Sequence, residues 1–303
     1  MRKFVCSLLL TVLLGIPLST KATIVDDPDV FNFAPFYDPS SGVIGLSLTF
    51  FPSEEGDTVY IPDYIYENNQ YKYVVNINTG AFYDCHAKYI RLPNHLRFIQ
   101  DYAFHYCCFL TTLEFTNDIS EIDFGEIDDI VGGCNYVDEI IVPLQYLSNY
   151  IDDPEDRFFP FFLYEQLKSK IVLSDYNKMI WADVNFKVSG GATPFYCTGV
   201  SGTTAYHNYN VNVVPANTVV CLEGENNDVV YVSATTDNAD NVTNPNSIHK
   251  VNSTTCVTNS LGNYYHYFVG YDYFTSINNN TTVCFAPKTA YLLSTTDSDI
   301  ILQ

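Results

Sequence analysis

The residues able to do chemistry in this sequence are its nine Cys, its six His and a surplus of carboxylates. Their spacing fits few reactions. There is no H-E-x-x-H, no G-x-S-x-G, no phosphate-binding glycine loop and no paired C-x-x-C. His86, His95, His105, His207, His249 and His266 each lack a His partner at metal-binding spacing. A Cys107–His105 thiol–imidazole pair is conceivable, but the pattern described below buries Cys107. The adjacent carboxylates Glu54-Glu55, Asp128-Asp129 and Asp152-Asp153 flank turns or insertions. A glycosidase needs two carboxylates facing each other across a cleft, and these read as solvated loop charge. Asp237-Asn238-Ala239-Asp240-Asn241 offers oxygen ligands for Ca²⁺ but lacks the Gly and closing Glu of an EF-hand loop. The expectation is therefore a non-enzymatic chain with no catalytic residue, no metal site and no cofactor.

Composition narrows the partners. The chain has 303 residues, with 14 Lys+Arg against 35 Asp+Glu and a net charge of -21. Gripping nucleic acid phosphates needs the opposite sign, so no nucleic acid partner is expected. An anionic membrane surface is repelled for the same reason. A hydrophobic share of 47% excludes disorder as the main state. With 25 Tyr and 21 Phe, the chain leans towards β structure.

Residues 1–22 carry Arg2 and Lys3, then an apolar run from Phe4 to Leu18, then Thr20 and Ala22 as small residues before a cut. This is the pattern of an export signal, and no later run is apolar enough to be a transmembrane segment. The expected location is the cell surface, the medium or the periplasm. Asn241, Asn252, Asn279 and Asn280 begin N-x-[ST] sequons, which matter only in a eukaryotic source.

A degenerate repeat organises the first half. Ala81-Phe82-Tyr83-Asp84-Cys85 and Ala103-Phe104-His105-Tyr106-Cys107 both read A-F-x-x-C, one unit of about 23 residues apart. Val74 and Ile77 precede the first, Leu96 and Ile99 the second, and Ile119 and Ile122 continue the series. Short β-prone runs follow: Ile90-Arg91-Leu92-Pro93, Leu113-Glu114-Phe115-Thr116 and Ile140-Ile141-Val142-Pro143, with Val59-Tyr60-Ile61-Pro62 before them. In a stretched third unit, Cys134 and Val131 take the places of Cys107 and Phe104, with an insertion around Asp123 to Asp129. A unit this small cannot bury its own apolar side, so neighbours stack into a solenoid. Side chains alternate along a strand, so Ile90/Leu92, Leu113/Phe115 and Ile140/Val142 point inward. Phe82 and Phe104 stack in the interior, and Cys85, Cys107 and Cys134 are buried filling. The outward row is Tyr60, Arg91, Glu114 and Ile141, flanked by Thr58, Tyr89, Thr112 and Glu139. Solenoids bind partners on such a face, and Tyr and Arg are common anchors. The candidate partner-binding residues are Tyr60, Tyr89, Arg91, Thr112, Glu114, Glu139 and Ile141.

The pattern I-x-x-x-A-F-x-x-C-x-x-L-x-x-L-x-L-P resembles the BspA-like leucine-rich repeat of bacterial cell-surface proteins, over roughly residues 56–175. Gly56 to Pro62 with Tyr71 to Val75 resembles the usual entry, and Ile140 to Tyr150 the usual last unit, a strand followed by a helix. The resemblance implies a non-enzymatic surface protein that adheres to host matrix proteins or other cells.

The chain thus divides into an export signal (1–22), a β lead-in (23–55), the repeats (56–175) and a C-terminal β domain (176–303). In the last, strands are expected at Tyr209 to Val214, Val219 to Leu222, Val229 to Val232, Tyr264 to Gly270, Thr281 to Ala286 and Ala290 to Leu293. Their spacing suggests a small antiparallel sandwich or barrel, so the fold class is mainly β with some α. Val214 to Gly224 and Ala286 to Leu292 are similar to segments that follow BspA-like repeats in surface proteins. Cys197, Cys221, Cys256 and Cys284 lie here, and their pairing, if any, is left open. The alternative function is glycan binding or degradation at an aromatic cleft near Tyr264, Tyr265, Tyr267 and Tyr271, residues that read equally as alternating sheet positions. The oligomeric state is not set by the sequence.

Overall fold

The structure, a computed structural model, describes residues 24–52, 58–125, 134, 137–151, 166–175, 177–242, 244, 247–260, 263–268 and 273–302. The export signal, Glu54-Glu55, Asp128-Asp129, Val131, Asp152-Asp153 and Tyr271 lie outside the described residues.

The chain is mainly β, with helix at only 6%. Short apolar runs between turn residues become three-residue strands. Thr58–Tyr60, Tyr89–Arg91, Thr112–Glu114 and Glu139–Ile141 pair in parallel, and Leu167–Val172 continues the ladder. The pairing is in the register the repeat implies: Val59, Ile90, Leu113, Ile140 and Leu167 form one buried row. A second parallel ladder joins Gln70–Ile77, Phe98–Ile99 and Asp123–Phe124, where Ile77, Ile99 and Phe124 align. Turns link the ladders. Gly80 and Tyr102, the residues before each A-F, both adopt the left-handed conformation, as do Asp84 and Tyr106 before each Cys. Repeat-equivalent residues thus share backbone geometry, and the result is a β-solenoid of about three turns.

Its interior is two columns. Phe31, Phe51, Phe82 and Phe104 stack at centroid spacings of 5.4, 5.2 and 5.1 Å. Beside them the Cys85 thiol donates to Cys107 Sγ at 2.9 Å, Cys107 donates to the Phe82 carbonyl at 2.9 Å, and Cys134 to the Phe104 carbonyl at 2.9 Å. After Glu139–Ile141 come a 3-10 turn (Leu144–Tyr146) and the short helix Leu147–Ile151, the strand-then-helix exit the sequence suggests.

The repeat sheet does not stop at the second half. Leu167–Val172 pairs antiparallel with Val229–Ala234, which pairs with Phe186–Gly190, so one eight-stranded sheet includes strands from both halves. A nine-stranded path of later strands packs its own core around Phe195, Phe268, Phe274 and Leu292. It is mixed: Thr204–Asn208 and Ile300–Leu302 run parallel. Strands occur at Val220–Glu223, Val229–Ala234, Tyr264–Phe268, Thr282–Phe285 and Ala290–Ser294, close to expectation. The segment from Tyr209 to Val214 is not a strand. Three of its backbone donors go to side chains, Asn210 N–H to Asn208 Oδ1 and Asn212 and Val213 N–H to Asp240 Oδ2, while Val211 N–H goes to the Tyr209 carbonyl and Val214 N–H to the Phe186 carbonyl. Thr255–Thr258 and Thr282–Phe285 form a separate ribbon, joined by a Cys256–Cys284 disulfide between register partners. Cys197 and Cys221 are free and buried.

Candidate partner-binding face

Strand alternation sends every second side chain of the first ladder away from the core. The register brings two rows to that face: Thr58, Tyr89, Thr112 and Glu139, then Tyr60, Arg91, Glu114, Ile141 and Lys168. The rings of Tyr60 and Tyr89 meet edge to face at 5.9 Å. Arg91 Nε lies 3.7 Å from Glu114 Oε1, and Arg91 Nη2 donates to Asn94 Oδ1 at 3.2 Å. Asn94 is itself fixed, because its N–H and amide donate to the two carboxylate oxygens of Asp63 at 2.7 and 2.8 Å. Lys168 Nζ pairs with Glu139 Oε1 at 2.7 Å. Burial pushes the Glu114 carboxyl up from its ordinary pKa, and the nearby Lys170 pulls it partly back.

These groups line two adjoining hollows. One, of about 480 Å³, is bounded by Asp26, Tyr60, Tyr89, Arg91, Glu114 and Lys170. The other, of about 210 Å³, lies between Arg91, Asn94, Glu114, Ile141, Pro143 and Lys170. Of the residues singled out from sequence, Tyr60, Tyr89, Arg91 and Glu114 converge on the first hollow, and Ile141 borders the second. Glu139 is engaged with Lys168 outside both hollows. Thr112 and Ile141, expected to be exposed, are buried at 8% and 5% exposure. The cause is the register: Tyr89 and Glu139 flank Thr112, while Glu114 and Lys168 flank Ile141, and longer neighbours cover shorter side chains. Asp26, Asn94 and Lys170 were missed. Lys170 had a signal, since Leu167-Lys168-Ser169-Lys170-Ile171 alternates like the repeat strands.

The groups most suited to catalysis are spent elsewhere. Cys107 lies between the Cys85 and Cys134 thiols, which with burial hold its pKa far above the usual thiol range. The reactive thiolate is therefore suppressed. Burial also raises Cys197 to about 11 and drives Cys221 well up. His266 Nε2 lies 2.8 Å from Ser294 Oγ, the spacing of a base and its nucleophile. The same nitrogen lies 3.1 Å from the Thr296 carbonyl, and Ser294 Oγ donates to that carbonyl at 2.9 Å. A nitrogen that donates to a carbonyl cannot take the serine proton. Asp240 accepts from Tyr196, Asn212 and Val213, and Asp237 pairs with Lys187, so the acidic loop's carboxylates are engaged within the fold. No group of three or more His, Cys, Asp or Glu able to hold a metal occurs among the described residues. No helix there is long and apolar enough to cross a membrane. Tyr265 and Tyr267 pack against a small core of Val251, Val257, Ile277 and Phe285.

No curated protein and no solved structure matches the chain. Residues 59–148 match the BspA type leucine rich repeat region in six copies, so the resemblance read from the A-F-x-x-C units holds for that stretch.

Proposed function

We propose that the chain is an exported, non-enzymatic protein of the cell surface or periplasm, and that it binds a protein partner through the strand face of its repeats. The BspA type repeat suggests protein interaction at a surface. The observation that carries the reading is the hollow of about 480 Å³, where Tyr60, then Tyr89 and Arg91, then Glu114, from three successive strands of the ladder, meet Lys170. Two rings provide contact area at little entropic cost, and a partly desolvated Arg–Glu pair provides direction. The C-terminal half supports the face as well, because its strand Val229–Ala234 pairs with Leu167–Val172, which holds Lys170. Adhesion to matrix proteins or to other cells is the form of binding this reading favours.

The test is binding of the purified chain to immobilised extracellular matrix proteins and envelope proteins, measured with wild type, Tyr89→Ala and Arg91→Ala. The expected result is saturable binding that falls by about tenfold or more in either variant, as for central anchors. Binding that is unchanged in both variants would refute the assignment to this face.

A further inference from the structure

A second surface is built of tyrosine. Residues Tyr64–Glu67 and Gln70–Ile77 form a hairpin whose turn residues Asn68 and Asn69 have φ of 50° and 60°, as a type I′ turn requires. Tyr64 faces Tyr73 across the hairpin and Tyr66 faces Tyr71. Directly opposed residues share a side, so all four rings project together. Ile65 and Lys72 project to the other side, where Ile65 packs against the main core. Ring centroids of Tyr64–Tyr71 and Tyr66–Tyr71 are 4.8 Å apart, and His95 lies against Tyr73 at 4.1 Å. Mutual contact does not hide them: Tyr64, Tyr66, Tyr71 and Tyr73 remain 46%, 57%, 59% and 43% exposed. Their hydroxyls have no hydrogen-bond partner among the described residues. An exposed aromatic cluster of this size is the kind of patch that marks a binding surface.

Charge selects the occupant. The hairpin's charged residues, Glu67 and Lys72, alternate to the opposite side and pair with each other at 2.8 Å. Strand alternation leaves no carboxylate or ammonium of the hairpin on the tyrosine side, in a chain of net charge -21 that repels anionic polymers. The surface matches a ligand that is uncharged, has apolar C–H faces for the rings and has hydroxyls for the phenols. A neutral pyranose has these properties. We propose that the Tyr64–Tyr66–Tyr71–Tyr73 cluster is a binding platform for neutral oligosaccharides, separate from the strand face that holds Arg91.

The experiment titrates the full chain with neutral hexasaccharides of β-1,4-glucose, β-1,4-mannose and β-1,4-N-acetylglucosamine, by calorimetry and saturation-transfer NMR. At least one should bind, with saturation concentrated on ring C–H protons. Tyr66→Ala/Tyr71→Ala should weaken it by about tenfold, the loss expected for two ring contacts. Tyr66→Phe should retain most of the affinity, and Tyr206→Ala, an exposed ring elsewhere, should leave it unchanged. Both tyrosines replaced are more than half exposed, and single Tyr66→Ala answers the question if the double variant fails to fold. The proposal is overturned if no neutral sugar binds, if binding survives the alanine variants, if only sulfated or uronic polymers bind, or if the tyrosines prove to hold a protein.

Discussion

Replacing Phe82 by Ala removes an inner ring of the solenoid's phenyl column. Phe82 is fully buried and touches Phe51 at 5.2 Å on one side and Phe104 at 5.1 Å on the other. A buried Phe→Ala change costs about 3–5 kcal/mol through lost transfer energy and the cavity left behind. Here the loss belongs at the upper end, because in a stacked array one residue serves both interfaces of its turn. Backbone bonds resist collapse of the hole: Phe82 N–H donates to the Ala103 carbonyl at 2.9 Å, and the Phe82 carbonyl holds the Cys107 thiol. About 4–5 kcal/mol is a large part of the stability of an ordinary domain. Phe82→Leu keeps most of the volume and should cost under about 1.5 kcal/mol. Tyr83→Ala, next in sequence but 52% exposed, should stay within about 0.5 kcal/mol. Equilibrium urea unfolding, followed by circular dichroism, ranks the three. A cost below about 1 kcal/mol for Phe82→Ala, or one no larger than that of Tyr83→Ala, would mean that the turns are not stacked through this column.

Two further outcomes are expected. Breaking Cys256–Cys284, by reductant or by a Cys256→Ala/Cys284→Ala double variant, opens a loop of sequence separation 28 and should lower stability by about 3.5 kcal/mol on a chain-entropy estimate; no change in the unfolding midpoint would show that the bond does not constrain the chain. Burial lowers the pKa of His266 below its usual 6.5, so the unfolded chain takes the proton more readily. Stability should therefore fall as pH drops through 6.5 and level off below the depressed folded value, and His266→Phe should flatten that slope in a urea-midpoint series from pH 8 to pH 5; a wild-type slope that survives the substitution contradicts the reading.

The repeat was legible because its physics is local. An apolar residue every second position fixes which side of a strand faces inward, and A-F-x-x-C marks the turn, so Ile90, Leu113 and Ile140 could be aligned before any coordinates. The thiol column and the stacking of Phe82 on Phe104 follow from the same repeat spacing, whereas Phe31 and Phe51, which extend that stack, carry no repeat signal. What escaped depends on neighbours distant in sequence. The burial of Thr112 and Ile141 is set by the longer side chains on adjacent strands. After Tyr209 the segment is held by local and side-chain bonds in place of a ladder, with the Asn212 and Val213 donors taken by Asp240. The tyrosine hairpin is half visible in sequence: Tyr71-Lys72-Tyr73 alternates as a strand, but Asn68-Asn69 lacks the Gly that usually marks a two-residue turn. The pairing of Leu167–Val172 with Val229–Ala234, which carries the repeat sheet into the second half, leaves no short-range trace.

Cys85 and Cys107 fill the stacked core, with Cys134 only partly buried beside them, and the proposed recognition lies on the surface. Iodoacetamide labelling of the native chain, read cysteine by cysteine by mass spectrometry, probes this packing. Cys85 and Cys107 should react roughly a thousandfold more slowly than in urea, since only opening of the stack exposes them. Fast labelling of either thiol in a chain that keeps its β signal would show that the stacked turns do not enclose them.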